Sequence, residues 1–150
     1  MNLNAEFAGT QRSSLRDFPR RPSAILLVPP SLAAIADGLL TVAGQPDGYL
    51  SGDASTVREW NPVARYLLSF SPWAFAIGIC CWIAILCITI FLLRDRNAVV
   101  LSLFVCAAHL VGVSTWLIRY PYGILWVFLL WICFRFTLFR VYQRGLRSAE

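Results

Sequence analysis

The sequence lacks lysine, has a single histidine, and carries charge on only 14% of its residues. Ordinary soluble domains are about 25% charged and about 45–50% apolar, whereas 58% of this chain is hydrophobic. A water-soluble fold is therefore disfavoured. All 13 basic residues are arginines, and they lie at the ends of apolar runs without forming a basic face interleaved with aromatic residues. We therefore expect no nucleic-acid partner.

The chain also lacks the motifs by which most enzymes are identified. It contains no H-E-x-x-H, no G-x-S-x-G and no glycine-rich phosphate loop. The five cysteines lie inside apolar runs without a C-x-x-C pair, which indicates packing residues and neither disulfides nor a tetrahedral zinc site. One histidine excludes a multi-histidine metal site. We expect no cofactor and favour a role other than catalysis, although the sequence leaves the enzymatic status open.

Four apolar runs are long enough to cross a bilayer, which requires about 20 helical residues. The predicted spans cover residues 24–44, 72–93, 98–118 and 122–139. A chain in hydrocarbon must satisfy its own backbone hydrogen bonds, and helices do so within one segment. The sequence therefore predicts an all-α, integral membrane four-helix bundle over residues 23–142.

The first run has an alternative interpretation as a secretory signal. A basic tail precedes it, and residues 34–36 form a small-residue pattern before Asp37 that is typical of a cleavage site. Cleavage there would leave three spans. The four-span interpretation is favoured, because apolar residues continue from Leu39 to Ala43 and because Pro29 and Pro30 interrupt the core of the proposed signal.

Turn-forming residues separate the first two spans. The stretch 45–65 is rich in proline, glycine, aspartate and serine, and it is predicted to be the outer loop. Asn61 before Pro62 is typical of a helix start, with the amide side chain as the cap. Ser71 before Pro72 repeats this pattern. We therefore expect residues 63–70 to form either a short interfacial helix or the kinked first part of the second span.

The arginines are distributed unevenly across the predicted membrane. Nine lie on the side of both termini, and three lie on the opposite side. The nine are Arg12, Arg16, Arg20, Arg21, Arg94, Arg96, Arg140, Arg144 and Arg147, and the three are Arg58, Arg65 and Arg119. The positive-inside rule then predicts that both termini lie in the cytoplasm. As a separate expectation, the membrane is a bacterial inner membrane. Residues 1–22 are predicted to be a disordered, arginine-rich tail, and residues 143–150 a second cytoplasmic tail.

A few polar residues within or beside the spans are the candidates for chemistry. Asp37 and Thr41 share one helix face, and His109 lies at a similar depth in the third span. Glu59 and Asn61 precede the second helix on the same outer side. A bundle could gather these five residues into one polar cluster. No motif marks a catalytic residue, but Asp37, Glu59 and His109 could bind a divalent ion of unknown identity or transfer protons.

The same five residues also have a structural interpretation, which we favour. Thr41 would bond its own helix or Asp37, and Asn61 would cap the second helix. Glu59 and His109 would satisfy one another. In this interpretation the polar residues hold helices together and perform no chemistry.

Two short motifs lie at these polar positions. Asp37-Gly38-Leu39-Leu40-Thr41 occurs within the first span, and Glu59-Trp60-Asn61-Pro62-Val63-Ala64 enters the second. They resemble the Asp-x-x-x-Thr and Glu-x-Asn-Pro motifs of a family of small prokaryotic polytopic membrane proteins of unknown function. The resemblance covers roughly residues 24–118, and the long insert, the arginine-rich tail and the aromatic fourth span depart from it. It implies a helical membrane domain and a polar set that acts together, without supplying an activity.

Three functions follow as hypotheses. The leading one is a small multi-pass membrane protein that acts through helix packing, as an accessory or scaffold protein or a membrane-embedded binding protein. The second is a transporter or channel protomer that uses a cavity formed by Asp37, Glu59 and His109. The third is an intramembrane metal-dependent or acid–base enzyme with the same residues. The expected partners are the lipid bilayer and either a second copy of the chain or another membrane protein.

Overall fold

The computed structural model of the chain describes residues 24–93 and 95–147, with the backbone alone described for residues 95 and 141–147. All regular secondary structure in this part of the chain is helical. A 3-10 turn at Ala24–Leu27 leads into α1 (Val28–Ala43), and the loop after it holds the short helix α2 (Asp47–Leu50) and a second 3-10 turn at Ala54–Thr56. The remaining helices are α3 (Pro62–Phe70), α4 (Pro72–Leu92), α5 (Asp95–Leu117) and α6 (Gly123–Arg147). The expected N-terminal tail, residues 1–22, and residues 148–150 of the C-terminal tail lie outside the described residues.

Four helical segments are long and apolar enough to cross a membrane. They are Ala24–Ala43, Pro72–Leu92, Arg96–Leu117 and Gly123–Arg140. The predicted all-α, four-helix membrane bundle is confirmed. The chain is therefore a multi-pass membrane protein.

Helix α3 is separate from α4, so the second span has no kinked first part. Ser71 between them is fully extended, with φ −177° and ψ 160°, and its hydroxyl accepts a hydrogen bond from the Ala74 amide at 3.0 Å. At the other end of α3, the Asn61 side chain accepts hydrogen bonds from the amides of Val63 and Ala64 at 3.0 and 3.4 Å. The predicted cap at Asn61 is confirmed, and each proline stands where its missing amide donor costs nothing.

Helix α1 packs against both α4 and α5. Its buried face consists largely of small residues, among them Ala33, Ala34 and Gly38. A Cβ added to Gly38 would overlap the Ile79 side chain of α4. Because lipid tails are as apolar as the helices, small residues stabilise such contacts by letting backbones approach closely. At the inner end, the buried Ser102 hydroxyl of α5 donates a hydrogen bond to the Leu26 carbonyl at 2.6 Å.

Helix α6 packs on one side of the bundle, mainly against α5. Its Leu130 and Phe134 touch the cluster that contains Cys106 of α5. The Trp131 indole N–H donates to the Ser114 hydroxyl at 3.2 Å. All five cysteines are free thiols, and Cys106 alone is buried, so the predicted packing role applies to that cysteine.

The outer loop folds back on the helices that it connects. Tyr49 of α2 is buried with Leu68 and Phe75, and its hydroxyl donates to the Leu68 carbonyl at 3.0 Å. Burial raises the pKa of the Tyr49 phenol. The buried Gln45 side chain donates to the Thr41 carbonyl at 2.8 Å and accepts from the Arg58 amide at 2.9 Å. These bonds fix the loop to the outer end of α1.

Candidate functional site

A chain of hydrogen bonds crosses three spans in the outer half of the bundle. His109 of α5 lies at its centre. Its Nδ1 is 2.9 Å from the Asp37 Oδ2 of α1, and its Nε2 is 3.1 Å from the Trp82 indole nitrogen of α4. We call this arrangement the Asp37–His109–Trp82 chain. It is built from one residue each of α1, α5 and α4.

The donors and acceptors fix the tautomer of the imidazole. An indole N–H can only donate, so Nε2 of His109 must offer a lone pair to Trp82. The ring proton is therefore on Nδ1, where it donates to the carboxylate of Asp37. His109 is neutral in this arrangement, and Asp37 is its acceptor. The contact is a hydrogen bond between a carboxylate and a neutral ring.

Gly112 creates the space that Asp37 occupies. It follows His109 by three residues and so lies on the same face of α5. A Cβ at Gly112 would overlap both carboxylate oxygens of Asp37. A glycine one turn after the histidine therefore allows the carboxylate to approach the helix backbone and reach the imidazole.

One oxygen of the carboxylate remains available. Within the described part of the chain, Asp37 makes a hydrogen bond only through Oδ2. Its Oδ1 makes none, and this oxygen is not fully buried. The side chains of Asp37 and His109 keep 22% and 23% of their surface exposed. The Asp37–His109–Trp82 chain therefore ends in an accessible hydrogen-bond acceptor at membrane depth.

The other predicted cluster residues lie elsewhere. The Glu59 carboxylate accepts a hydrogen bond from the Asn61 amide at 2.8 Å, at the start of α3. The expected contact between Glu59 and His109 is not formed, since both ring nitrogens of His109 are engaged by Asp37 and Trp82. Thr41 is buried in α1, and its carbonyl accepts from Gln45. The structure thus joins Asp37 to His109 and leaves Glu59 and Asn61 as a separate cap.

This placement limits the chemistry that the described residues could perform together. No group of three His, Cys, Asp or Glu side chains among residues 24–93 and 96–140 is arranged to hold a metal ion. Asp37 provides one carboxylate and His109 one imidazole. The unprotonated nitrogen of that imidazole, Nε2, already accepts a hydrogen bond from Trp82. The pair can accept one further hydrogen bond from a donor and can hold three helices in register.

Sequence reasoning missed two residues of the site. Trp82 lies in the middle of α4, whereas tryptophan in a membrane span is usually found at the ends. This unusual position was the sequence feature that could have identified Trp82 as part of a site. Gly112 could have been identified from its spacing to His109, because an intramembrane polar residue often needs a small neighbour for a partner to approach.

The chain was also compared with known proteins. It matches no protein-family model, no curated protein and no solved structure. The resemblance carried by the motifs around Asp37 and Asn61 therefore stays a prediction. The functional interpretation rests on the geometry of the Asp37–His109–Trp82 chain.

Proposed function

We propose that this multi-pass protein resides in a bacterial inner membrane with both termini in the cytoplasm, and that it is an accessory or scaffold protein that binds a partner helix within the bilayer. The observation that carries this proposal is the accessible Oδ1 of Asp37. The arginine distribution described above supports the orientation. The resemblance to small prokaryotic membrane proteins of unknown function implies a polar set, without supplying a role for it.

The argument begins with the solvent around Asp37. A carboxylate within a span is costly, and such groups face a bundle interior, a partner or a water-filled cavity. His109 is neutral here, so it does not compensate the charge of Asp37. The second oxygen accepts no hydrogen bond within the described chain. A donor from outside the chain is the contact that would complete this site.

The chemistry of the partner follows from that acceptor. Oδ1 would accept from a hydroxyl, amide, indole or cationic side chain on a neighbouring transmembrane helix. Hydrogen bonds of this kind in membranes contribute about 0.6 kcal/mol on average and up to about 1.7. One such bond gives orientation more than affinity, and packing of small and apolar residues would supply the remainder.

Asp37→Asn tests the proposal with little change in shape. The Asn carbonyl can still accept from His109 Nδ1, while an NH₂ donor replaces Oδ1. A photo-crosslinking residue at Ala108, which is exposed beside His109, should form a discrete protein adduct in native membranes. Asp37→Asn should clearly reduce the yield of that adduct, because two donors then face each other while the packing contacts remain.

The matched control is Thr115→Val in α5. Thr115 is exposed, but its hydroxyl already donates to the Gly112 carbonyl at 2.7 Å, so this variant should leave the adduct unchanged. The same crosslinker at Phe128, on the exposed face of α6, should give no such adduct. An undiminished yield of the Ala108 adduct in Asp37→Asn would contradict the proposal. A mass equal to two chains would identify the partner as a second copy.

The second candidate is a transporter or channel protomer. The observation that favours it is the exposure of Asp37 and His109 at the same position, which would suit a polar pathway shared between protomers. Ion or proton flux in vesicles reconstituted with purified protein, lost in Asp37→Asn and retained in Thr115→Val, would replace the accessory role with this one.

A further inference from the structure

Two arginines on α6 have no anionic partner in the described chain. Arg135 and Arg140 are exposed, and neither makes an ion pair or hydrogen bond with a described side chain. Arg140 ends the apolar span Gly123–Arg140. Arg135 lies five residues deeper, or about 7–8 Å at 1.5 Å per residue. Both guanidinium groups therefore need an anion near the end of the span.

The carboxylates whose side chains the structure describes cannot serve these arginines across the membrane. Asp37, Asp47, Asp53 and Glu59 lie in the outer half of α1 or in the outer loop, whereas α6 reaches the opposite side at Arg140. An arginine near a helix end extends along the apolar surface until its head group reaches the polar layer. Lipid phosphates are anions of that layer.

Aromatic residues flank both arginines in a regular pattern. Phe139 follows Arg135 by four residues, and Phe136 precedes Arg140 by four, so each arginine shares a helix face with a phenylalanine. Both phenylalanines are exposed. Each face thus presents an apolar ring to the acyl chains and a guanidinium group to the headgroups. This combination fits a phospholipid and does not require a soluble anion.

We propose that Arg135 and Arg140 bind the headgroups of anionic phospholipids at the end of α6. The planar guanidinium group donates two parallel hydrogen bonds to a phosphate, which a lysine ammonium cannot do. Net negative headgroups add attraction of about 1 kcal/mol per arginine near the surface, or about fivefold in affinity. The surface therefore prefers phosphatidylglycerol to phosphatidylcholine.

The test uses the purified full-length protein in zwitterionic detergent, titrated with phosphatidylglycerol or phosphatidylcholine and monitored by native mass spectrometry. The wild-type protein should retain phosphatidylglycerol preferentially. Each single variant, Arg135→Gln or Arg140→Gln, should weaken that retention about fivefold at low salt, and the double variant more. The double lysine variant should lie between the wild type and the double glutamine variant, because it keeps charge and loses the paired hydrogen bonds.

A double variant of Arg58→Gln and Arg65→Gln at the opposite side is the matched control and should retain phosphatidylglycerol as the wild type does. Three results would overturn the proposal: unchanged retention in the Arg135 and Arg140 double glutamine variant, an equal loss in the Arg58 and Arg65 control, or equal retention of the two lipids by the wild type. Displacement of phosphatidylglycerol by millimolar inorganic phosphate would also contradict it, since the site would then bind a soluble anion.

Discussion

The first and fourth spans, Ala24–Ala43 with α1 and Gly123–Arg140 of α6, have nearly the same mean hydropathy but very different surroundings. In the apolar stretch of the first span, 33% of the residues are buried by the rest of the chain. In that of the fourth span only 6% are buried. Hydropathy therefore predicts which segments enter the membrane, and other features decide where each helix lies in the bundle. The difference lies in side-chain size and in the position of polar groups.

Small residues and one carboxylate explain why α1 is buried more than α6. Ala33, Ala34 and Gly38 allow α4 and α5 to approach, and Asp37 gains its partner from α5. Helix α6 carries tryptophan, phenylalanine, leucine and isoleucine on most of its surface, and these side chains keep neighbouring backbones apart. The same kind of substitution should thus cost much more stability in α1 than in α6.

The largest effect is expected for Ala34→Leu in α1. Ala34 is only 2% exposed, and added methylenes in a well-packed interface cost about 1–3 kcal/mol or more. The thermal midpoint in detergent should fall clearly. Cys133→Leu enlarges an exposed residue of α6 and should leave the midpoint almost unchanged. Equal midpoints for the two variants would remove the proposed difference between the helices.

Gly112→Ala should have the next largest effect, because its Cβ would overlap the Asp37 carboxylate. We expect a loss of about 1–2 kcal/mol from overpacking and from a weakened hydrogen bond to His109. A double-mutant cycle with Asp37→Ala isolates this cause. In the Asp37→Ala background the glycine substitution should cost little, and an undiminished cost would place the clash elsewhere.

Tyr49→Phe tests the loop that covers the outer end of α1. Loss of the bond to the Leu68 carbonyl should cost about 1 kcal/mol, measured by thermal unfolding in detergent. Burial raises the pKa of Tyr49, so its contribution to stability is complete below its ordinary pKa of 10.0 and is lost as the pH rises through the folded-state pKa. The wild type should therefore approach Tyr49→Phe in stability above about pH 10. A constant difference across that range would contradict this account.

Trp82→Phe should have the smallest effect on stability. It removes one interhelical hydrogen bond, for which about 0.6 kcal/mol is typical in membranes. The substitution has a larger effect on the imidazole of His109. Nε2 then loses the indole donor that keeps it unprotonated, so the contact with Trp82 no longer fixes the tautomer. Trp73→Phe, at an exposed position near the start of α4, is the control and should leave the His109 spectrum unchanged.

Much of the fold could be predicted because the responsible signals are local. Run length and apolar composition predicted the four-helix membrane bundle, and Asn61 before Pro62 predicted the start of α3. The choice between a kink and a break at Ser71 depended on its backbone conformation, which the motif alone leaves open. The packing of α1 against α4 and α5 depended on contacts between segments distant in sequence.

The site was predicted in part for the same reason. Helix periodicity and depth identified Asp37 and His109 as residues at one level, but depth alone could not distinguish which polar neighbours would meet. Glu59 found a closer partner in the Asn61 amide two residues away, a local bond that forms at little entropic cost. Trp82 could not be predicted as a partner of His109, because tryptophan is usual at the ends of membrane helices and the contact joins segments distant in sequence.

Nitrogen-15 NMR of His109 tests the central claim most directly, because this is the single histidine of the chain and its ring signals need no assignment among others. In protein reconstituted in lipid, we predict the Nδ1–H tautomer, with Nε2 shifted as an acceptor of a hydrogen bond that Trp82→Phe removes. An Nε2–H tautomer, or a ring in rapid exchange between tautomers in the wild-type protein, would contradict the Asp37–His109–Trp82 chain.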